Sequence, residues 1–110
     1  AAVAAAALRE PGHAGRTYVL TGPEPVTPRQ QVAAIGDAIG EPVRFVEQTR
    51  DEARSQMLRF MPEVVVDATL AILGTPTDDE RRAHPDVEQV LGRPAGAFAG
   101  WAARNATAFK

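Results

Sequence analysis

The chain has 110 residues, 45% of them hydrophobic, with a formal net charge of −2 and no cysteine. That length fits one small domain or part of a larger one. The missing thiols exclude disulfides, thiolate metal sites and a cysteine nucleophile. The charge excludes a clustered basic face for nucleic acid, because eleven of the twelve basic residues are scattered arginines.

Alanine supplies much of the apolar content and buries little area, so the expected core is thin. The aromatic residues are Tyr18, Phe45, Phe60, Phe98, Trp101 and Phe109. The opening run Ala1–Leu8 is too short for a membrane span, which needs roughly 20 apolar residues. No basic stretch precedes it, as a signal peptide would require. It reads as the end of an alanine-rich helix whose beginning is missing, and cytoplasm is the default location.

In chain order, residues 1–10 are expected to be helical, stopped by Pro11-Gly12. The β-branched and aromatic run Thr17-Tyr18-Val19-Leu20-Thr21, closed by Gly22-Pro23, predicts a strand. Thr27, Pro28 and Gln30 supply a cap, a first-turn proline and a capping box for the next helix. Val32, Ile35, Ala38 and Ile39 form its apolar stripe, and Gly40 is its stop. A second strand is expected at Val43-Arg44-Phe45-Val46-Glu47, from its alternation.

Thr49 and Glu52 repeat the capping-box spacing and open a helix that carries Ala53, Met57, Phe60 and Met61 on one side until Pro62. A further helix runs from about Glu63 to Leu73 and ends at Gly74. It is apolar nearly all round (Val64, Val65, Val66, Leu70, Ile72, Leu73), so it should be buried or lie against a partner. Residues 74–85 predict a surface loop. A short helix at Asp86–Leu91 and a final one from about Ala95 to Phe109 complete the chain. The expected class is α/β: helix-rich, with a two-stranded parallel pair joined through a helix (βαβ) and C-terminal helices. Such a pair is normally covered on both faces within a larger sheet, which suggests that part of the protein is missing.

Candidate chemistry is sparse. Gly12-His13-Ala14-Gly15 precedes a strand instead of following one, so it reads as a turn and not as a phosphate loop. A Tyr-x-x-x-Lys pair is absent, since Gly22 stands where Tyr18 would need its lysine. His13 and His84 read as surface loop residues without metal-ligand spacing. Asp78-Asp79-Glu80 with Arg81-Arg82 is a solvated charge run, and Asp51-Glu52 sits where a helix start favours acids. Met57, Phe60 and Met61 fit either ordinary core packing or the lining of a substrate cavity.

The stretch Gly15–Glu24, with Leu20-Thr21-Gly22-Pro23-Glu24 at its end, is followed by the Thr27-capped helix with Val32-Ala33-Ala34-Ile35, and then by Pro42-Val43-Arg44-Phe45-Val46. Together with Val87-Glu88-Gln89-Val90-Leu91-Gly92-Arg93-Pro94, and Phe98, Trp101, Ala102 and Phe109, this order resembles the C-terminal part of NmrA-like atypical short-chain dehydrogenases. The resemblance implies an NAD(P)-binding oxidoreductase with an extended Rossmann-type layout, and the Arg-over-Lys, Ala-rich composition suggests a bacterial source. Residues 1–110 would form a single segment of its substrate lobe, with the Rossmann half absent. It also implies that Met57, Phe60 and Met61 face the substrate, and that no catalytic, cofactor-binding or metal residue lies in this chain. NAD(P) would belong to the parent protein. The implied partners are the chain's own missing N-terminal Rossmann lobe and a small-molecule substrate, with neither nucleic acid nor membrane. Two alternatives stay open: a free-standing interaction or dimerisation module, suggested by the apolar helix 63–73 and implying a homodimer, and a non-catalytic redox sensor fragment.

Overall fold

The computed structural model describes residues 1–110 and divides into two compact units: residues 1–43 with 83–110, and residues 44–82. Its elements are all helical: α1 (Ala2–Arg9), α2 (Pro28–Ile39), α3 (Arg50–Met57), α4 (Glu63–Gly74), α5 (Asp78–Arg81), α6 (Asp86–Leu91), α7 (Phe98–Arg104) and a closing 3₁₀ turn (Ala106–Phe109).

In the first unit α1 packs on α6, while α2 packs on α7 and the closing turn. The expected start of α2 is realised in full. The Thr27 hydroxyl accepts the Gln30 amide at 3.1 Å, and the Gln30 side chain accepts the Thr27 amide at 2.9 Å. Gly40 ends the helix at φ 72°, a left-handed conformation that a side chain would strain. The partners across the α2–α7 contact are mostly alanines, and Ala102 is fully buried. Val3 and Ala6 are the buried residues of α1, while Leu8 points to solvent.

The α/β expectation is overturned: no strand forms. Residues 17–21 and 43–47 have the residue types of strands, but a strand is stable only when its backbone groups find a ladder. Neither run pairs with the other. Instead, the Val19 amide donates to the Asp86 carboxylate at 2.7 Å, and the His84 amide donates to the Thr21 hydroxyl at 2.9 Å. The Asp86 side chain at the start of α6 thus satisfies a backbone group that a neighbouring strand would otherwise have taken, and the second bond ties the Thr21 side chain to the backbone just before that helix. The second run falls where the two units divide, after Val43.

The second unit is a helical hairpin of α3 and α4, followed by the single turn α5. Thr49 caps α3 by accepting the Glu52 amide at 3.2 Å, with Asp51 and Glu52 in the first turn. The helix expected to reach Met61 ends at Met57. A loose turn follows, in which the Phe60 and Met61 amides both donate to the Met57 carbonyl. Pro62 disfavours helix at the residue before it and starts α4 as its N-cap. Inside the expected 74–85 loop, Thr77 and Glu80 close a second reciprocal capping box around α5. The final helix is likewise cut at Asn105, whose carboxamide donates to the Trp101 carbonyl.

Buried apolar side chains are few: Val3, Ala6, Val66, Leu70 and Ala102. Alanine-rich helices of this length cover little area, as the composition foretold. The all-round apolar α4 buries Val66 and Leu70, but leaves Val64 at 81% and Ile72 at 55% exposed.

Candidate functional site

The best-defined electrostatic feature lies in the second unit. Arg54 near the end of α3 donates to Asp67 at 2.8 Å and to Glu63 at 2.6 Å. Glu63 and Asp67 are one helical turn apart on α4, so their carboxylates share a face and converge on one guanidinium. The Arg54 hydrogen bond lowers the Asp67 pKa against a smaller opposing desolvation, with the Arg54 and Arg50 charges adding to the lowering. Arg54 is raised, first by its hydrogen bond to Asp67 and then by that to Glu63. Near neutral pH Arg54 and Asp67 therefore both stay charged, and they brace the hairpin instead of exchanging protons.

At the tip of this hairpin stand Met57, Phe60 and Met61. The Met61 amide donates to the Met57 carbonyl at 2.9 Å, which places the two methionines one turn apart on the same side. Both are half-buried, whereas Phe60 is 72% exposed. With Leu58 at 40% and Val64 at 81% exposed, Phe60 forms an apolar ridge along the connection and the first turn of α4. Such a surface suits an apolar ligand or a packed partner. The sequence offered no sign of the Arg54 clasp beyond the Glu63–Asp67 spacing.

Among the residues read as plain loop, His13 behaves differently. Its ring is only 16% exposed and hydrogen-bonds the Tyr18 hydroxyl through Nδ1 at 2.7 Å, with the rings edge to face. The Glu10 carboxylate lies 3.6 Å from Nε2 on the other side. His84 is half-buried, and its amide is held by Thr21. The acidic run is solvated as expected, and it also pairs locally, with Arg81 on Asp78 and Arg82 on Asp79, all well exposed. No group of three histidine or acidic side chains is placed to hold a metal ion.

A nicotinamide dinucleotide needs a glycine turn whose amides open a helix toward the pyrophosphate. Gly12 and Gly15 have positive φ, 93° and 77°, but they follow the end of α1 and lead into an irregular segment, and the next helix starts only at Pro28. The Tyr18 hydroxyl is already engaged by His13. These residues do not fit a dinucleotide, so no hydride-transfer step is assigned to them.

Comparison with known proteins supplies the chemical context. The chain is 40% identical over 110 residues to a (4-alkanoyl-5-oxo-2,5-dihydrofuran-3-yl)methyl phosphate reductase of Streptomyces griseus, covering 99% of this chain and 39% of that protein. It is 39% identical over 111 residues to an NAD(P)H azoreductase of Xenophilus azovorans, with the same coverage of 99% and 39%. Both similar proteins are reductases, and the chain spans about two fifths of the length of each. No family profile matches the chain. No helix is long and apolar enough to cross a membrane.

Proposed function

We propose that this chain is the substrate-lobe part of an NmrA-like NAD(P)H-dependent reductase. The nicotinamide nucleotide would be held by a separate Rossmann lobe, and the Met57–Phe60–Met61 tip would contact an organic acceptor substrate. The reading is carried by the 40% identity to a reductase, which runs across the whole chain while spanning only 39% of that relative. The second relative, an NAD(P)H azoreductase, supports a nicotinamide as the electron donor.

Surface area supports a covering partner. The chain exposes 8388 Å². Even counted as two separate bodies, folded units of these lengths would expose about 7,000 Å² together. The surplus of about 1,400 Å² is comparable with the roughly 600–1,500 Å² of an inter-domain interface. The exposed Phe60, Val64 and Ile72 are the side chains such an interface or a bound substrate would cover.

NADPH titration tests the division of labour. The 110-residue chain is expected to show no saturable binding. A protein that also carries the rest of the relatives' length is expected to bind NADPH and oxidise it when an azo compound or a furanylmethyl phosphate is supplied. Stoichiometric, saturable NADPH binding by residues 1–110 alone would contradict the proposal.

A second reading rests on the same exposed face of α4, which in a free-standing module would seek another copy. Sedimentation separates the two, because a dispersed, folded monomer at high concentration removes the dimerisation reading.

A further inference from the structure

The first unit contains a cavity of about 430 Å³ that takes no part in the reductase reading. Two stretches of chain far apart in sequence build it: residues 22–31, leading into the first turn of α2, and residues 96–101, leading into α7. Its size lies within the roughly 300–1,000 Å³ of small-molecule pockets. Pro23, Val26, Phe98 and Trp101 supply apolar walls, and Glu24 and Gln31 supply the polar side chains. Trp101 is 45% exposed and is held from two sides, by Phe98 at a ring-centroid distance of 5.5 Å and by Phe109 edge to face at 5.9 Å. An indole fixed in this way presents a surface without having to be ordered on binding.

Glu24 is the only charged residue in the lining. Aromatic faces carry negative electrostatic potential, so the carboxylate and the rings favour the same sign of ligand charge. Arg104 is not part of the lining, although its guanidinium lies 3.9 Å from the position a Cβ on Gly96 would occupy. We propose that this cavity binds a small planar aromatic cation, of the aryl amidine or aryl ammonium class. Its ring would lie against Trp101 and Phe98, and its charged nitrogen would donate to the Glu24 carboxylate. Gln31 provides a further polar contact. The proposal stands on the first unit alone and does not depend on the reductase reading.

Trp101 is the only tryptophan, so its fluorescence reports on this site directly. Titration of the chain with benzamidine is expected to quench or shift that emission saturably in the millimolar range or below. Benzoate, of similar size and opposite charge, should give no saturable change, and guanidinium, a cation without a ring, should bind at least about tenfold more weakly. Glu24→Gln should weaken benzamidine about tenfold, because a charge-assisted hydrogen bond is lost. Glu24 is exposed, so the variant is expected to keep its helices, which circular dichroism checks. If it does not, chemical-shift mapping on the unaltered chain decides, by whether benzamidine perturbs the Trp101 indole and Phe98 together. Benzoate binding as tightly as benzamidine, an unchanged Glu24→Gln affinity, perturbation elsewhere, or no saturation by about 10 mM overturns the proposal.

Discussion

The Asp86 carboxylate accepts the Val19 amide at 2.7 Å, joining the chain's most strand-like segment to the first turn of α6. One half-buried acid here takes the place of a ladder partner. Asp86→Ala is expected to cost up to about 1 kcal/mol, the scale of a single solvent-accessible hydrogen bond. Its sharper signature is local, since the Val19 amide should exchange with solvent much faster while amides in the middle of α2 keep their protection. Equal exchange of Val19 in both proteins counts against this role.

Thr27→Ala removes one side of the reciprocal cap on α2 and is expected to lower stability by about 1 kcal/mol. Thr27→Ser should recover most of that loss. Urea denaturation followed by far-ultraviolet circular dichroism provides the comparison, and identical midpoints for all three proteins would show that the cap contributes nothing.

The Arg54 clasp makes the second unit sensitive to acid. Asp67 has a lowered pKa in the folded hairpin, so it contributes stability above its unfolded value, near about 3.9. That contribution is lost as the pH falls from about 4 through the lower folded value. Asp67→Asn should abolish this part of the acid dependence and leave the rest of it in place. An amide-proton pH titration of α3 and α4 in both proteins checks it.

Phe60 and Met57 separate substrate contact from packing. Phe60 is largely exposed, so Phe60→Ser should change stability by less than about 0.5 kcal/mol. If the proposed contact holds, in a protein that carries the rest of the relatives' length the same change should raise KM for the organic acceptor and leave that for the nicotinamide unaltered. Met57→Ala, at a half-buried position, should cost about 1 kcal/mol or more. Unchanged acceptor kinetics in Phe60→Ser would remove Phe60 from the proposed contact.

Local chemistry was the part of this fold most visible in the sequence. Thr27, Pro28, Gln30 and Gly40 bound α2 where expected, and Thr49 with Glu52 starts α3, because caps depend on residues within one turn of each other. The same signal at Thr77 and Glu80 marks α5, but it sits in a polar stretch that reads as loop. Residues 17–21 and 43–47 misled because strand propensity expresses packing against neighbours, and no neighbouring strand is present to realise it. The Arg54–Asp67 clasp and the pairing of Glu24 with Trp101 around one cavity join residues distant in sequence, which no spacing rule reveals. The environment of His13 follows from the turn at Gly12–Gly15, whose path brings Tyr18 back to the imidazole.

Where α2 meets α7, Ala33, Ala34, Ala38, Ala99 and Ala103, together with Gln30 and Asp37, line an open groove of about 380 Å³. Methyl groups alone cannot fill it, which makes this seam an untapped reserve for engineering. Replacing Ala99 by a longer aliphatic residue would bring about 0.8 kcal/mol for each methylene that finds cover. A more heat-resistant version of the chain is therefore within reach of one or two exchanges along this seam.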